Sequence, residues 1–338
     1  MIFTEEEITH LFSRFSSYRV LVIGDVMIDS YLIGKVDRIS PEAPVPVVTL
    51  KQRENMLGGA ANVALNIKSL GAEAFLCSVI GNDKQGDELV DLLKKEGLKT
   101  EGIIRSNERI TTTKYRVIGN RMQMLRVDEE IDTDLNPEDA KGLITNISNL
   151  LASQKPDVII LQDYNKGVLS PFVIEQVAAL ASKAGIPVAV DPKKKNFTAY
   201  KGITLFKPNL KEIIEGLKTE IDPLSIESLR KAAELLHVSQ HIQLVMITLS
   251  EHGVFISSKN SSGDISIIIP AEVRSIADVS GAGDTVISVA ALCMAAKTDP
   301  VFMANLSNLA GGLVCEQSGV APVDKFRLMA EACIEELL

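Results

Sequence analysis

The chain has 338 residues, of which 46% are hydrophobic and 23% are charged, a composition typical of a folded protein rather than a disordered one. Its 35 Lys and Arg residues against 44 Asp and Glu residues give a net charge of -9, without a basic tract. Nucleic-acid binding needs clustered cations that neutralise phosphates, so the charge argues against a nucleic-acid partner. The length predicts two domains, or one large α/β domain with an accessory piece.

The N-terminal segment MIFTEEEITHLFSRF is acidic and lacks the basic and apolar regions of a signal peptide. The longest apolar stretch, Val286 to Ala296, is too short to span a bilayer. Four cysteines lie in apolar runs without a CxxC pair, which predicts buried free thiols in a reducing compartment: Cys77, Cys293, Cys315 and Cys333. These features predict a cytoplasmic protein that does not bind membranes.

Five short runs rich in Val, Ile and Leu predict strands of a parallel sheet that is covered on both faces. They are Val20–Ile23, Phe75–Ile80, Val158–Gln162, Val188–Val190 and Leu244–Thr248. Helical patterns lie between most of them, over Ala60–Leu70, Asp87–Glu96, Pro171–Ala184 and Ser225–Leu236. This alternation predicts a three-layer α/β fold with ligands bound at the carboxyl ends of the strands.

Two segments, residues 35–56 and 109–128, break this pattern and predict a small antiparallel sheet inserted in the α/β core as a lid. The second segment reads as a hairpin with Gly119-Asn120 as its two-residue turn. The lid would expose an apolar face formed by Val45, Val47, Val117 and Met124. Because pairing two copies would bury that face, we expect a homodimer that associates through the lid.

The most informative motif is Asp278-Val279-Ser280-Gly281-Ala282-Gly283-Asp284-Thr285, which precedes an apolar helix. A Gly-Ala-Gly turn at a helix start exposes unpaired N–H groups at the positive end of the helix dipole, which favours an anion site. Asp284 beside it would supply the base that phosphoryl transfer to a hydroxyl requires. On this motif alone, a tight turn with Asp284 as a helix cap explains the residues equally well.

Three shorter motifs each have a structural and a functional interpretation. Gly58-Gly59-Ala60-Ala61-Asn62 is an ordinary helix start or a close approach of backbone to ligand with Asn62 alongside. Gly24–Asp29 follows the first strand, where its carboxylates cap a helix or bind paired sugar hydroxyls. Lys207–Glu212 contains Asn209 and Glu212 at the spacing of a capping box, or of a pair that holds water around a phosphate-bound Mg²⁺.

Other patterns point away from common site types. Neither GxxxxGK[ST] nor GxGxxG occurs, which excludes a P-loop. His237 and His241 lack a third ligand and are interpreted as a surface helix end rather than a zinc site. Lys193-Lys194-Lys195 is interpreted as a solvated turn that is also able to attract an anionic substrate.

Taken together and in this order, the motifs between about Arg19 and Val323 resemble the ribokinase-like (PfkB) carbohydrate kinase family. The resemblance implies a Rossmann-like three-layer core with a β-lid, and transfer of the ATP γ-phosphoryl group to a sugar hydroxyl with Mg²⁺. Within the family, Gly24–Asp29, Arg38–Val47 and Gly58–Asn62 look like the subgroup of bacterial D-glycero-β-D-manno-heptose 7-phosphate kinases. That subgroup makes the 1,7-bisphosphate for ADP-heptose and the lipopolysaccharide core.

The resemblance also implies roles for individual residues. Asp284 would be the general base, and the amides of Gly281, Ala282 and Gly283 would form the anion hole. Since an ordinary Asp is already ionised at neutral pH, this role requires no large pKa shift. The sugar would be held by Asp29, Gly58, Gly59 and Asn62, and its phosphate by lid cations, with Arg38, Lys114, Arg116, Arg121 and Arg126 as unranked candidates. The nucleotide would be bound by Asn209, Thr248, Gly253 and Asn308, and Glu212 would reach Mg²⁺ through water. Asp278 and Ser280 would lie beside a monovalent cation such as K⁺. Lys166 and Asp191 would border the active cleft.

Two departures from the family pattern affect the nucleotide and cation contacts, since Val279 replaces a Thr and Ser250 replaces a Gly. The sequence contains no HxGH motif, so we expect a single kinase domain over residues 1–338 without a nucleotidyltransferase domain. The alternatives left open are a kinase for another sugar, such as fructose, fructose 1-phosphate or ribose, and a sensor that binds sugar phosphate or nucleotide without turnover.

Overall fold

The computed structural model describes residues 4–259, 264–272, 274–317 and 319–334. The strands are β1 (Arg19–Gly24), β2 (Val26–Ile39), β3 (Pro46–Gly59), β4 (Glu73–Gly81), β5 (Ile103–Ser106), β6 (Thr113–Gly119), β7 (Met122–Glu129), β8 (Val158–Gln162), β9 (Val188–Asp191), β10 (Leu205–Phe206), β11 (Leu244–Thr248), β12 (Val254–Ser258) and β13 (Ile265–Ile269). The helices are α1 (Glu5–Arg14), α2 (Ala60–Ser69), α3 (Lys84–Lys95), α4 (Pro137–Gln154), α5 (Pro171–Ala184), α6 (Leu210–Leu217), α7 (Ile226–Ser239), α8 (Ala282–Ala296), α9 (Pro300–Cys315) and α10 (Lys325–Ile334).

The larger sheet has nine strands in the order β13-β12-β11-β10-β9-β8-β1-β4-β5. The strands from β5 to β11 pair in parallel, and β12 and β13 continue the sheet antiparallel. Side chains on β1 explain the continuous apolar runs: Val20 and Val22 pack into one core, whereas Leu21 and Ile23 pack into the other. The five predicted strands are therefore confirmed, because a strand covered on both faces has no polar side.

Helices cover both faces of this sheet. Apolar residues of α1, α2, α3, α8, α9 and α10 form one core with the sheet, and those of α4, α5, α6 and α7 form the other. The predicted three-layer α/β class is confirmed. Among the described residues, no helix is long and apolar enough to cross a membrane.

The second sheet has four strands in the order β3-β2-β6-β7. The expected bounds of its first segment are too narrow, because β2 begins at Val26 and β3 runs to Gly59. Asp29 and Gly58 thus lie on strands of this sheet, which we call the lid, and not in loops. The hairpin between β6 and β7 turns at Asn120-Arg121, one residue later than predicted, and both residues have positive φ.

Two smaller expectations need correction. His237 is buried, and its ring nitrogens lie 2.7 Å from the Ile242 carbonyl and 3.0 Å from the Ser257 hydroxyl, so it is part of the core rather than a surface helix end. The four cysteines are free as predicted, but Cys315 and Cys333 are only half-buried. Both lie near the end of their helices, where cover is incomplete.

Candidate active site

Asp284 lies in the first turn of α8, at the carboxyl ends of the central strands, and its side chain is buried. Asn62 Nδ2 on α2 donates to Oδ2 of this carboxylate at 2.7 Å. Gln162 Nε2 at the end of β8 and the Tyr164 hydroxyl both donate to Oδ1, at 3.0 and 2.8 Å. The carboxylate is thus held by three neutral donors from three different segments.

The pKa of Asp284 lies above that of an ordinary Asp. Burial raises the pKa of Asp284 to about 6, while the hydrogen bonds from Asn62 and Tyr164 oppose the rise. The rise follows from burial, because the side chain is only 3% exposed and its charged form is therefore penalised. A pKa near 6 still leaves the group mostly ionised at neutral pH, as a general base requires.

The start of α8 has some, but not all, of the free backbone N–H groups that the predicted anion site requires. Gly281 has φ of 83°, a left-handed conformation that favours glycine, and turns the chain into the helix. Ala282 does not contribute a free amide, since its N–H bonds to the Val279 carbonyl at 3.4 Å. Within the part of the chain that the structure describes, the N–H groups of Gly281, Gly283 and Asp284 have no acceptor, and they are the donors available to an anion.

A buried group of charges that the sequence analysis mostly missed lies beside this helix start. Asp191, at the end of β9, pairs with the buried Lys207 at 3.0 Å and with Lys193 at 3.5 Å. Gln162 Nε2 also donates to Asp191 at 3.2 Å, so this one amide bridges the two carboxylates of Asp191 and Asp284. Only Asp191 was expected at the cleft, although all of these residues lie at or just beyond strand ends, where ligand-binding residues gather.

The charges in this group are stabilised mutually. Burial opposes ionisation of Asp191, yet Lys193 and Lys207 lower its pKa below the ordinary value. Burial likewise opposes the charge of Lys193, whereas Asp191 and Glu212 raise its pKa. Lys193 is therefore a fixed cation in the cleft and not part of a solvated turn, while Lys194 remains largely exposed.

In the lid, Asp29 of β2 is buried and forms an ion pair with Arg116 of β6. Its carboxylate lies against Gly58 of β3. Gly59 precedes α2, where the Ala60 N–H bonds to the carbonyl of Asp25. The structure thus brings together the predicted Asp29, Gly58 and Gly59, whereas Asn62 contacts Asp284 rather than open space.

The lid cations are now distinguishable. Arg116 is committed to Asp29, and Arg126 pairs with Asp128. Arg38 is exposed and lies nine residues beyond Asp29 along β2, about 30 Å at the rise of a strand. Lys114 is half-buried with its Nζ 5.4 Å from the centre of the Tyr164 ring, and it forms no salt bridge with a described residue. Burial lowers the pKa of Lys114, and the nearby carboxylates of Asp29, Asp128 and Glu130 only partly oppose this shift.

The capping-box interpretation of Asn209 and Glu212 is confirmed. Glu212 Oε2 accepts from the Asn209 N–H, and Asn209 Oδ1 accepts from the Glu212 N–H, both at 2.8 Å at the start of α6. Glu212 Oε1 also pairs with Lys193, which links this helix start to the charged cluster. The capping role does not remove the functional one, because carboxylate oxygens have spare lone pairs for water.

The predicted nucleotide residues gather near the other strand ends. Thr248 ends β11 and forms a β-bridge with Asn209. Gly253, with φ of 90°, packs against the Ile269 carbonyl, and Asn308 on α9 donates to the Pro270 carbonyl at 2.9 Å. Thr248 and Asn209 are therefore in direct contact. Gly253 and Asn308 each contact the segment at the end of β13.

Asp278 and Ser280 form a compact turn. One carboxylate oxygen of Asp278 accepts from the Ser280 N–H at 2.9 Å and the other from the Gly319 N–H at 3.1 Å. Despite burial, these backbone donors lower the pKa of Asp278. The described residues contain no cluster of three or more His, Cys, Asp or Glu side chains that would hold a metal ion.

Tyr164 is carried by a loop that two buried carboxylates hold in place. Asp25 accepts N–H groups of Tyr164, Lys166 and Val168 at 2.8, 3.0 and 3.0 Å. Asp163 accepts from the Asn165 N–H and from the Tyr200 hydroxyl. Burial raises the pKa of Asp25, and it raises that of Asp163 to about 6. Lys166, expected at the cleft, pairs instead with Glu130 at 2.7 Å.

Residues 18–325 match the family model described as pfkB family carbohydrate kinase. The chain belongs to the pfkB family of carbohydrate kinases. It is accordingly a phosphotransferase that acts on a sugar hydroxyl, and the family uses ATP with a divalent metal. The geometry around Asp284 and the start of α8 is the part of this pfkB kinase that fits such a reaction.

Named relatives of this pfkB kinase include the bifunctional proteins HldE of Desulfatibacillum aliphaticivorans and Caulobacter vibrioides. They are 42% and 41% identical over 97% and 96% of this chain. The chain spans 66% of the length of each of these two relatives. It therefore corresponds to a part of them.

Solved structures show the same fold. Phosphofructokinase-2 from Escherichia coli in complex with potassium superposes with a TM-score of 0.75 at 20% identity, covering 94% of this chain and 99% of that one. Ribokinase from Arabidopsis thaliana complexed with ribose and ATP gives 0.68 at 17% identity, covering 92% and 98%. The ribokinase-like class is thereby confirmed for this pfkB kinase.

Proposed function

We propose that this chain transfers the γ-phosphoryl group of ATP to the anomeric hydroxyl of D-glycero-β-D-manno-heptose 7-phosphate, giving the 1,7-bisphosphate. The observation that carries the proposal is that Tyr164 bonds to Asp284, beside the free amides at the start of α8, and also lies within electrostatic reach of the lid residue Asp29. The choice of heptose 7-phosphate as substrate is supported by the similarity to HldE proteins, which are bifunctional heptose kinase/adenylyltransferases. The Arg38–Val47 string, which resembles the heptose subgroup, points the same way.

Asp284 acts as the general base in this proposal. As the sugar oxygen bonds to the γ-phosphorus, its O–H bond breaks and the proton passes to Asp284, while the bond from phosphorus to the ADP oxygen breaks. The free amides of Gly281 and Gly283 donate to the transferring phosphoryl oxygens, where charge accumulates. Lys193 adds a fixed positive charge beside them.

The 7-phosphate of the sugar needs a cation, and we favour Lys114 for this role. This residue is half-buried, forms no salt bridge with a described residue and lies over the Tyr164 ring, whose hydroxyl reaches Asp284. A bound phosphate would give Lys114 a direct ion pair, which it does not form with a described residue. Arg116 then serves mainly to hold Asp29 for the sugar hydroxyls.

Mg²⁺ fits this site through water and phosphate oxygens rather than through a protein cage. Both carboxylate oxygens of Glu212 already accept hydrogen bonds, from Asn209 and Lys193, so Glu212 would orient water around the metal. When bound with ATP, the metal neutralises phosphate charge. We assign the monovalent cation, K⁺, to the turn of Asp278 and Ser280.

We also propose that two copies of the chain associate through the lid. The protein would act in the cytoplasm, where its substrates are found. Val45 and Met124 are exposed as expected, whereas Val47 and Val117 are half-buried. Further exposed apolar side chains extend the face: Ile39, Leu50, Met122, Leu125 and Val127. Such a concentration of apolar groups on one small sheet is typical of an interface.

The deciding experiment measures ADP release with Mg-ATP across a panel of acceptors. The panel contains heptose 7-phosphate, the non-phosphorylated heptose, fructose 6-phosphate, fructose 1-phosphate and ribose. Selective turnover of heptose 7-phosphate is expected. Turnover of another sugar would overturn the heptose assignment and keep the kinase, and ATP binding without any turnover would favour a sensor.

A further inference from the structure

The hydrogen bonds to Asp284 are unevenly divided between its two oxygens. An ionised carboxylate has about four acceptor positions, two on each oxygen. Gln162 and Tyr164 fill both positions on Oδ1, whereas Asn62 fills only one on Oδ2. Among the described residues no other donor reaches this carboxylate, so the remaining position is on Oδ2.

Tyr164 is built to keep this arrangement. Its backbone N–H is fixed by Asp25, and two ammonium groups lie over its ring, with Lys114 Nζ at 5.4 Å and Lys193 Nζ at 5.3 Å from the ring centre. Cations near an aromatic face are attracted by the ring electrons. Burial and the neighbouring carboxylate of Asp284 raise the pKa of Tyr164 well above its ordinary value, so the hydroxyl stays a donor.

We propose that Tyr164, together with Gln162, is a positioning residue that occupies Oδ1 of Asp284 and leaves Oδ2 as the atom that takes the proton of the sugar hydroxyl. The inference rests on the proposed role of Asp284 as base. Tyr164 acts through Asp284 and also connects the lid cation Lys114 with Lys193 on the phosphate side of the cleft.

Removal of the Tyr164 hydroxyl has a calculable direction. In Tyr164→Phe the ring and its two lysine contacts remain, but the carboxylate loses one donor that stabilises its ionised form. The acid limb of the pH profile then moves to higher pH, and kcat falls about tenfold at neutral pH, as expected for one charge-assisted hydrogen bond. KM for the sugar changes less than twofold. The other charges that face Asp284 are unchanged: Asp191, Lys193 and, behind Asp191, Lys207.

The experiment compares kcat and its pH profile for wild type, Tyr164→Phe, Asp284→Asn and the double variant, with the sugar that the panel identifies. If Tyr164 acts through Asp284, the Phe substitution costs nothing further in the Asn background. Tyr115→Phe is the matched control, since that hydroxyl donates to Glu129 on the lid, and its kinetics should equal wild type. Thermal unfolding of each variant shows that it is folded.

The outcomes separate the two ideas. An Asp284→Asn enzyme that keeps most of its turnover overturns the proposed base, and with it this inference. A disabled Asp284→Asn enzyme beside a Tyr164→Phe enzyme with wild-type kcat and pH profile overturns the inference alone. Equal losses from Tyr164→Phe in both backgrounds also overturn it, because Tyr164 would then act independently of Asp284.

Discussion

The carboxylate of Asp29 lies against the backbone of Gly58 so closely that a Cβ at position 58 would be 2.3 Å from Oδ2. The two residues are on adjacent lid strands, so neither moves without the other. Gly58→Ala should displace Asp29, break its alignment with Arg116 and raise KM for the sugar at least tenfold, with ~1–3 kcal/mol of lost stability. Steady-state kinetics and thermal unfolding test this. Gly142→Ala, where the nearest atom is 3.5 Å away, should leave KM unchanged.

Gly281 turns the chain into α8 with positive φ, and a Cβ there would meet Asn62 Nδ2 at 3.1 Å. Gly281→Ala should therefore shift Asn62, which holds Asp284, and lower kcat by about a hundredfold, as expected when a catalytic base is displaced. Gly185→Ala is the control, because Gly185 has φ of 67° but no atom within 4 Å of the added Cβ. An equal loss of kcat in the two variants, relative to wild type, would show that backbone strain rather than the displacement of Asn62 explains the loss.

The pKa of Asp284, about 6, sets the expected pH dependence. A base must be ionised, so kcat/KM should fall as pH decreases through about 6 and approach a tenfold loss per unit below it. Asp163 also has a pKa of about 6, but its carboxylate bonds to the Asn165 N–H and the Tyr200 hydroxyl rather than to a group that contacts the sugar in this proposal. The limb should therefore persist in Asp163→Asn. A flat profile down to pH 5 would contradict the assignment.

Lys114 is the cation proposed to bind the sugar phosphate. Lys114→Met should raise KM for the phosphorylated sugar by tenfold or more, because the charge-assisted bonds are lost, while KM for ATP stays within twofold. Lys51→Met, an exposed lysine on β3, serves as the control. Equal effects of Lys114→Met on phosphorylated and non-phosphorylated sugars would contradict a phosphate-binding role.

Leu125, 57% exposed on the lid, tests the proposed dimer. Light scattering of the wild-type chain should give twice the chain mass of 36.6 kDa, and Leu125→Asp should shift it toward the single mass. Leu235→Asp, 52% exposed on α7, should remain dimeric. A wild-type mass of 36.6 kDa at working concentration would rule out the dimer.

The central strands were predictable because they are covered on both faces, which gives an unbroken apolar run such as Val158–Gln162. The extent of β2 was not, because Asp29 and Ser30 are polar yet buried, and polar residues in that pattern read as a loop. Very short strands such as β10, which has two residues although it lies inside the sheet, carry no periodicity at all.

At the site, the sequence indicated Asp284 and the glycines because each motif is local. Gln162, Tyr164 and Lys207 were given no role at the site, because their roles depend on contacts across the fold. Gln162 and Asp284, for example, are 122 positions apart. Position at a strand end was the one available signal, and it would have selected Gln162 and Lys207. The sequence could not show which lid cation forms no salt bridge, because the salt bridges of the lid depend on how its strands pair.

Asp25 alone separates β1 from β2, and its carbonyl binds the amide of Ala60, where the chain returns from β3 into α2. The lid is therefore joined to the core directly by its strands, so any movement of the lid would bend these strands where they leave the core. The carboxylate of the same Asp25 holds the loop that carries Tyr164. Any flexing at this residue reaches the Tyr164 hydroxyl, so admission of substrate and alignment of the base are mechanically linked.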